Sequence, residues 1–222
     1  SSSNLFLKST SNSSAGMLKV GSSSEFLGNI NVERYFSIGG SATNGGWVNI
    51  SSPITNTSLA TLATSTNIPL CGDFQGANYS YSVCGNFTSL FFYKELNSSG
   101  SFENGWLSAD SITGGYNSSS NLEYNNAPFI WANPGVNKIS ISGDPYLEND
   151  VFPITKSGSS STEDGWNLVS NPYPCSIDWN SFVSRNSTLS NTAYAYSPTS
   201  GNWNPITTNG HIPHSQSFFV QT

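Results

Sequence analysis

A tryptophan-containing phrase that ends in proline occurs twice in the chain, and it constrains the fold more than any other feature. Residues 165–172 read Gly-Trp-Asn-Leu-Val-Ser-Asn-Pro, and residues 46–53 read Gly-Trp-Val-Asn-Ile-Ser-Ser-Pro, about half the chain length earlier. Successive side chains of a strand face opposite ways, and the closing proline cannot donate to a sheet ladder. Each copy is therefore predicted to be a short β-strand that runs into a stiff, non-helical corner.

The likeness between the two halves extends beyond this phrase, as an internal duplication requires. An aromatic segment, a second tryptophan and a closing apolar segment follow each copy in the same order. They are residues 90–93, 105–106 and 127–131 in the first half, and residues 193–196, 202–203 and 217–220 in the second half. A chance likeness among aromatic strands is the alternative. We predict two related β-units, residues 29–134 and 135–222, that share one sandwich core and follow an N-terminal arm or edge strands over residues 1–28.

Composition favours the same fold class. Only 9% of the residues are charged, whereas 13% are aromatic, so we expect an uncharged polar surface over an aromatic core. No window supplies Ala, Leu, Glu and Lys at a 3.6-residue period, and helix should be a minor component. A chain of 222 residues can bury a substantial core. The prediction is an all-β, jelly-roll-like β-sandwich with a short N-terminal strand arm.

Two segments near the N-terminus have strand patterns. Residues 29–37 alternate, with Ile30, Val32, Arg34 and Phe36 on one face. The arm before them carries a lone alternating segment that begins with Leu-Phe-Leu, and a flexible tail is the alternative. If the arm is ordered, this strand can pair with a sheet edge of its own chain or of a neighbouring molecule.

The charge balance excludes several classes of partner. The net charge is −6, and the seven Lys and Arg residues are scattered, whereas nucleic-acid binding needs clustered cations. An anionic membrane surface is disfavoured for the same reason. No apolar run approaches the ~20 residues that span a bilayer, so we predict no membrane insertion. The composition is typical of a secreted protein, and we expect a leader to have been removed before the opening Ser-Ser-Ser-Asn.

The three cysteines allow three pairings. Cys71 and Cys84 flank a loop-like stretch, and a disulfide between them would close that loop. We predict this pair, with Cys175 as a small buried filler. The spacing does not suggest zinc, because Cys-x-x-Cys pairs are absent.

Short sequence words spread over nearly the whole chain resemble a known family. They are LFLKS at residues 5–9, NVERY at 31–35, GW and SSP at 46–47 and 51–53, GWNLVSNPYP at 165–174, IDW at 177–179, and QSFFV at 216–220. In this order they are similar to a β-module common in secreted and cell-surface proteins of the Bacteroidetes, often carried by cargo of the type IX secretion system.

The resemblance implies a β-sandwich, an envelope or extracellular location and a cleaved sorting domain after Thr222. It implies no established activity, since such modules occur in adhesin-like proteins, beside β-helical repeats and beside polysaccharide-degrading enzymes. Two positions depart from the family. Cys175 stands where a small Ser or Ala is usual, which supports the filler interpretation, and both histidines replace apolar residues or Gly.

Flat aromatic side chains are the best candidates for ligand contact, because sugar rings stack on them. Five such residues lie near Gly- and Asn-rich loops rather than inside the clearest strands. They are Trp106, Tyr116, Tyr124, Trp131 and Trp203. The alternative for each is packing within an aromatic core.

Acidic residues offer one candidate metal site. Asp144, Glu148 and Asp150 lie in an oxygen-rich loop that could hold Ca²⁺, although the regular Asp-x-Asp-x-Asp-Gly spacing is missing. No other cofactor is predicted. Asp178 could serve as one of a pair of carboxylates for glycoside hydrolysis. We expect it instead to cap the proline corner by accepting backbone N–H bonds.

No catalytic pattern stands out. His211 and His214 form His-x-x-His in a loop that contains Pro213, where the helical geometry of zinc proteases is not accessible and no Glu follows. We expect both histidines to face solvent or to make hydrogen bonds. No Gly-x-Ser-x-Gly turn presents a nucleophile. The protein is therefore predicted not to be an enzyme.

The family resemblance adds one modification site. Bacteroidetes attach O-glycans at Asp-Ser or Asp-Thr followed by an apolar residue, and Asp110-Ser111-Ile112 has that pattern. The resemblance thus implies a glycan on Ser111.

Two functions follow from these observations. The first is a non-catalytic extracellular surface protein, adhesin-like or self-associating, whose partners are glycans, other surface proteins or copies of itself joined by strand pairing. The alternative is a carbohydrate-binding module that accompanies a secreted polysaccharide-degrading enzyme.

Overall fold

The structure, a computed structural model, describes most of the chain. The described residues are 5–11, 13–17, 28–38, 45–66, 68, 70–73, 77, 79–80, 82–98, 100–109, 127–134, 136, 138–149, 151–159 and 162–222. The strands are β1 (Leu5–Leu7), β2 (Ile30–Tyr35), β3 (Gly46–Asn49), β4 (Leu90–Tyr93), β5 (Trp106–Ser108), β6 (Phe129–Ala132), β7 (Lys138–Gly143), β8 (Trp166–Ser170), β9 (Ile177–Asp178), β10 (Ala193–Ser197), β11 (Asn202–Ile206), β12 (His211–Ile212) and β13 (Ser217–Gln221), and the helices are α1 (Leu59–Thr66) and α2 (Trp179–Ser184). The predicted all-β fold is confirmed.

Two four-stranded antiparallel sheets form the body of the molecule. The first sheet has the order β3-β6-β4-β5, and the second sheet has the order β8-β13-β10-β11. In each sheet the strand that comes first along the chain lies at one edge, the fourth lies beside it, and the second and third follow. A helix follows the first strand in both halves. The two sheets therefore have the same topology.

A third sheet, which we call the arm sheet, has the order β1-β2-β7. β1 pairs in parallel with β2, so the N-terminal arm pairs with an edge of its own chain. Leu7 is buried, whereas Leu5 and Phe6 are 41% and 55% exposed. β7 pairs with β2 although it follows the predicted unit boundary, and the boundary itself stays a prediction.

The outer face of the first sheet packs against the arm sheet and α1. Successive side chains of a strand point to opposite faces of the sheet, so every second residue of these strands lies on this face. The resulting core contains Val48, Leu90, Phe92 and Ile130 of the first sheet, Ile30, Val32, Ile139 and Ile141 of the arm sheet, and Leu59 and Leu62 of α1.

The outer face of the second sheet packs against α2. Trp179 is fully buried there among Val169, Phe218 and Val220, and its indole N–H donates to the carbonyl of Asn191 at 2.8 Å. Asp178 precedes the helix and accepts the Ser181 N–H at 2.7 Å. Asp178 therefore accepts a backbone N–H, as the sequence predicts, but it caps α2 and not the proline corner.

The two proline corners have the same local geometry. Ser52 and Asn171 each precede a proline, and the side-chain oxygen of each accepts the N–H two residues on, from Ile54 at 3.2 Å and Tyr173 at 3.0 Å. The proline in each turn has no N–H to donate. The side chain before it closes the turn by accepting the N–H of the residue after the proline. The corners also touch, since the Ser51 hydroxyl donates to the Asn171 carbonyl at 2.7 Å.

Candidate functional site

A layer of aromatic rings fills the space between the first and second sheets. We call them the interface rings: Tyr93, Trp106 and Phe129 of the first sheet, and Tyr196, Trp203 and Phe219 of the second sheet. Their registers correspond, because Tyr93 lies opposite Trp106 across β4 and β5, and Tyr196 lies opposite Trp203 across β10 and β11. Equivalent rings therefore occupy equivalent positions on two facing surfaces.

Contacts between the sheets obey an approximate two-fold symmetry. Tyr93 contacts Phe219 with ring centroids 4.7 Å apart, and the equivalent pair, Tyr196 and Phe129, is separated by 4.9 Å. Both pairs meet edge to face, the arrangement that aromatic quadrupoles favour. The two inner faces thus match each other as the two sides of a symmetric dimer do.

The two tryptophans of this layer lie where the symmetric halves meet. Trp106 lies 5.8 Å from Phe219, Trp203 lies 6.0 Å from Phe129, and the two indoles are 6.3 Å apart. Both residues lie at the starts of strands, β5 and β11, just after the Gly- and Asn-containing segments that the sequence analysis noted. Sequence spacing could not show that a second sheet lies opposite. Sugar stacking on either ring stays a prediction, and packing already uses much of both surfaces.

Trp131 has a different setting, at the far end of the first sheet. It forms the aromatic end cluster with Trp47, Phe87 and Phe91. Trp47 lies at the centre, stacked on Phe129 at 4.9 Å and edge-on to Trp131 at 5.5 Å. Every ring of this cluster is only partly buried. Among the predicted glycan-stacking residues in the described part, Trp131 is therefore the one outside the interface layer, and Tyr116 and Tyr124 lie outside the described residues.

The acidic loop is held by its backbone. The Asp144 carbonyl accepts the Thr55 N–H at 3.0 Å, and the Tyr146 N–H donates to the Pro53 carbonyl at 2.9 Å. Glu148 is exposed, and Asp150 lies outside the described residues. In the described ranges no cluster of three or more His, Cys, Asp or Glu residues could hold a metal ion. Calcium binding here stays a prediction.

The structure confirms the predicted cysteine pairing. Cys71 and Cys84 form a disulfide with Cα atoms 6.1 Å apart, which confirms that pairing. Cys175 is a free thiol, partly buried, and burial raises its pKa. Ser111, the predicted glycosylation site, lies outside the described residues.

The two histidines have opposite environments. The His211 side chain is 62% exposed, and its Nδ1 lies 3.9 Å from Asp178 Oδ2. His214 is buried, with Nδ1 3.2 Å from the Ser215 hydroxyl. Burial, together with the nearby positive charge of Arg34, lowers the pKa of His214 to about 4. His214 is therefore neutral near pH 7.

A buried carboxylate ties the two halves together, and sequence reasoning missed it. Glu95 follows β4, is only 4% exposed, and accepts the N–H groups of Ser157 at 2.6 Å and of Gly165 at 3.0 Å. Gly165 has φ = +81°, a conformation that glycine adopts without strain. Burial pushes the pKa of Glu95 up, but these backbone hydrogen bonds outweigh it, and the pKa falls below its ordinary value.

An open cleft of about 600 Å³ lies between the N-terminal arm, the end of β2 and the tip of the β10–β11 hairpin. Its walls include Thr10 and Ser13 of the arm, Arg34 of β2, and Tyr196 and Thr199 of the hairpin. Sequence reasoning missed this cleft as well, because its walls come from segments far apart along the chain.

The chain matches no protein-family model, no curated protein and no solved structure. Its resemblance to the Bacteroidetes module therefore stays a prediction. None of the helices in the described ranges has the length and apolar character needed to cross a membrane.

Proposed function

We propose that this chain is a non-catalytic extracellular surface module, adhesin-like or self-associating, that works by contact. The observation that carries the proposal is the outer edge of the arm sheet. β1 lies at that edge with β2 as its strand neighbour, and Leu5 and Phe6 are exposed on it. An edge strand with unpaired backbone groups and apolar side chains is a template for pairing with another chain.

Two further features support this function. The symmetric aromatic layer packs the two sheets against each other, and the disulfide closes a loop, as suits a protein that presents surfaces. Disulfides persist mainly in oxidising compartments, and this one supports an extracellular location. The proposed occupant of the edge is a strand from a second copy, which would extend the arm sheet from one molecule to the next.

The test is the association state of the purified chain over a range of concentrations, measured by light scattering after gel filtration and by electron microscopy. We expect the wild type to associate and Phe6→Lys to be monomeric, because a charge on an edge strand opposes pairing. Val151→Lys is the matched control, since Val151 is 87% exposed but lies outside every strand. A wild type that stays monomeric at every concentration and adheres to no surface would contradict the proposal.

Carbohydrate binding is the second candidate, and the aromatic end cluster favours it. Partly exposed rings on a rigid sheet can stack on sugar rings. The experiment is a pull-down with insoluble cellulose, chitin, agarose and alginate. Trp131→Ala should weaken retention, whereas Phe182→Ala, a change to a partly buried ring on α2, should not. Retention that is equal for wild type and Trp131→Ala would exclude this surface.

A further inference from the structure

Arg34 holds an unusual position in the arm sheet. It follows Ile30 and Val32 on the core-facing side of β2, and both of these side chains are 1% exposed. Arg34 itself is partly buried, and it lines the cleft described above. A guanidinium placed on a core-facing row is costly unless an anion or several acceptors balance it.

The described residues supply no such balance. The Arg34 backbone belongs to the β2–β7 ladder, but its guanidinium makes no hydrogen bond or ion pair with any residue in the described ranges. The carboxylates of Glu33 on β2 and of Asp178 on β9 are engaged with other groups. Glu33 points from the opposite face of β2 and pairs with Lys138 at 2.9 Å. Asp178 caps α2 and lies 3.9 Å from His211. Burial of the Arg34 side chain lowers its pKa. The pKa of His214 is lowered by its own burial and by the positive charge of Arg34, and His214 is therefore no anionic partner.

The cleft is lined partly by apolar residues such as Val48 and Ile206 and partly by Ser and Thr residues, and the hydroxyl-bearing walls are held in place. On one side Thr10 and Ser13 form a turn, closed by a backbone hydrogen bond of 2.7 Å. On the other side the Thr199 hydroxyl donates to the Ser37 carbonyl at 2.7 Å, which fixes the hairpin tip to the end of β2. Hydroxyl groups from both walls line the cleft, and Tyr196 adds an aromatic ring.

We propose that this cleft binds an acidic saccharide, whose carboxylate or sulfate group pairs with Arg34 while its hydroxyls bond to the Ser and Thr side chains of the walls. A guanidinium binds either anion in a bidentate manner. A volume of about 600 Å³ is within the range of small-molecule sites and can hold one or two sugar rings. The net charge of −6 does not oppose this, because salt screens distant charges within about 8 Å.

The proposal names a ligand class for the surface module and rests on that proposed function. The test is isothermal titration calorimetry of the full chain with three oligosaccharides of equal length: an oligogalacturonate, a sulfated galactan and a neutral galactan. We expect saturable binding of one or both acidic oligosaccharides and none of the neutral one. The two acidic probes distinguish a carboxylate ligand from a sulfate ligand.

Three variants locate the site. Arg34→Met should weaken binding at least tenfold, and Arg34→Lys should weaken it less, because lysine keeps the charge but loses the planar fork. Arg185→Gln removes an equal charge from an exposed position outside the cleft and should leave affinity unchanged. We expect Arg34→Met to fold, with a raised melting temperature, since it removes an unbalanced charge.

A measurement on the wild type covers the case in which a variant fails to fold. The Arg34 Nε–H resonance should shift during titration with the bound oligosaccharide, and an unmoved resonance at saturation would overturn the proposal. Equal affinity for the neutral galactan would also overturn it. Release of new reducing ends from a bound oligosaccharide would contradict the non-catalytic function but not the binding site at Arg34. Association that depends on Phe6, without binding of any saccharide, would contradict the binding site but not the proposed function.

Discussion

Replacing Glu95 tests the buried carboxylate that links the two halves. Its oxygen Oε1 accepts the Ser157 N–H at 2.6 Å, the Gly165 N–H at 3.0 Å and the Ser157 hydroxyl at 3.0 Å. In Glu95→Ala both backbone N–H groups lose their acceptor. In Glu95→Gln an oxygen remains, but the negative charge does not.

The expected cost follows from these contacts. A hydrogen bond to a charged group contributes about 1.5–3 kcal/mol, so the two backbone bonds together give about 3–6 kcal/mol. Desolvation of the carboxylate offsets part of this sum. We therefore expect Glu95→Ala to lower the free energy of unfolding by about 3 kcal/mol, and Glu95→Gln by roughly half as much. Glu103→Gln, an exposed change nearby, should stay within about 0.5 kcal/mol of wild type.

The same contacts set a pH dependence. The pKa of Glu95 is below its ordinary value of 4.5 in the folded chain, so its contribution to stability is present above pH 4.5. As the pH falls through the folded pKa, the carboxylate is protonated and the contribution is lost. The stability difference between wild type and Glu95→Gln should therefore shrink as the pH drops from about 6 to below 4.

Urea denaturation of wild type and the three variants at several pH values measures both effects. The midpoint should move while the slope with denaturant stays constant. A Glu95→Ala protein as stable as Glu103→Gln, or a difference between wild type and Glu95→Gln that does not change with pH, would refute the reasoning.

Three other changes have defined outcomes. Replacing Cys71 and Cys84 together by serine should lower the free energy of unfolding by about 3 kcal/mol, because the unfolded chain is no longer constrained by the disulfide. In urea denaturation, a reducing agent should destabilise the wild type but not this variant. His214 has a folded pKa of about 4 and an ordinary value of 6.5, so wild-type stability should fall as the pH drops from 6.5 toward 4, and thermal melts of His214→Gln should show a flatter profile. Phe219→Ala should cost about 3–5 kcal/mol in urea denaturation because this buried ring contacts both sheets, and a cost equal to that of Phe182→Ala would contradict its role at the interface.

Local signals in the sequence predicted the all-β fold class and the two tryptophan-containing strands. The Gly-Trp phrase with its closing proline marks β3 and β8, because alternation and the missing proline N–H act within a few residues of chain. Aromatic pairs such as Tyr93 with Trp106, and Tyr196 with Trp203, then occupy equivalent registers in the two sheets. The corresponding segments come in the same order in both halves of the sequence, and the two sheets share one strand order.

The role of each tryptophan could not be predicted in the same way. Alternation places Trp106 on one face of its strand, but it does not tell whether a second sheet, a sugar or solvent lies opposite. A ring that packs against Phe219 and a ring that stacks on a glycan have similar local sequences. Only the packing of distant segments separates Trp106, inside the interface layer, from Trp131, in the aromatic end cluster.

Charged residues at tertiary junctions left no local signal. Glu95 begins a short 3₁₀ helix (Glu95–Asn97), and its partners Ser157 and Gly165 lie more than 60 residues away. Arg34 alternates correctly with Ile30 and Val32, so the pattern predicts its face but not the cleft beside it. Both features depend on contacts between segments that sequence periodicity does not connect.

Differential scanning calorimetry of the wild-type chain tests most directly whether the two symmetric sheets form one unit through their aromatic layer. We expect a single transition whose calorimetric enthalpy equals its van't Hoff enthalpy, since neither half can unfold without exposing rings such as Trp106 and Phe219. Two separate transitions, or a calorimetric enthalpy well above the van't Hoff value, would contradict a shared core.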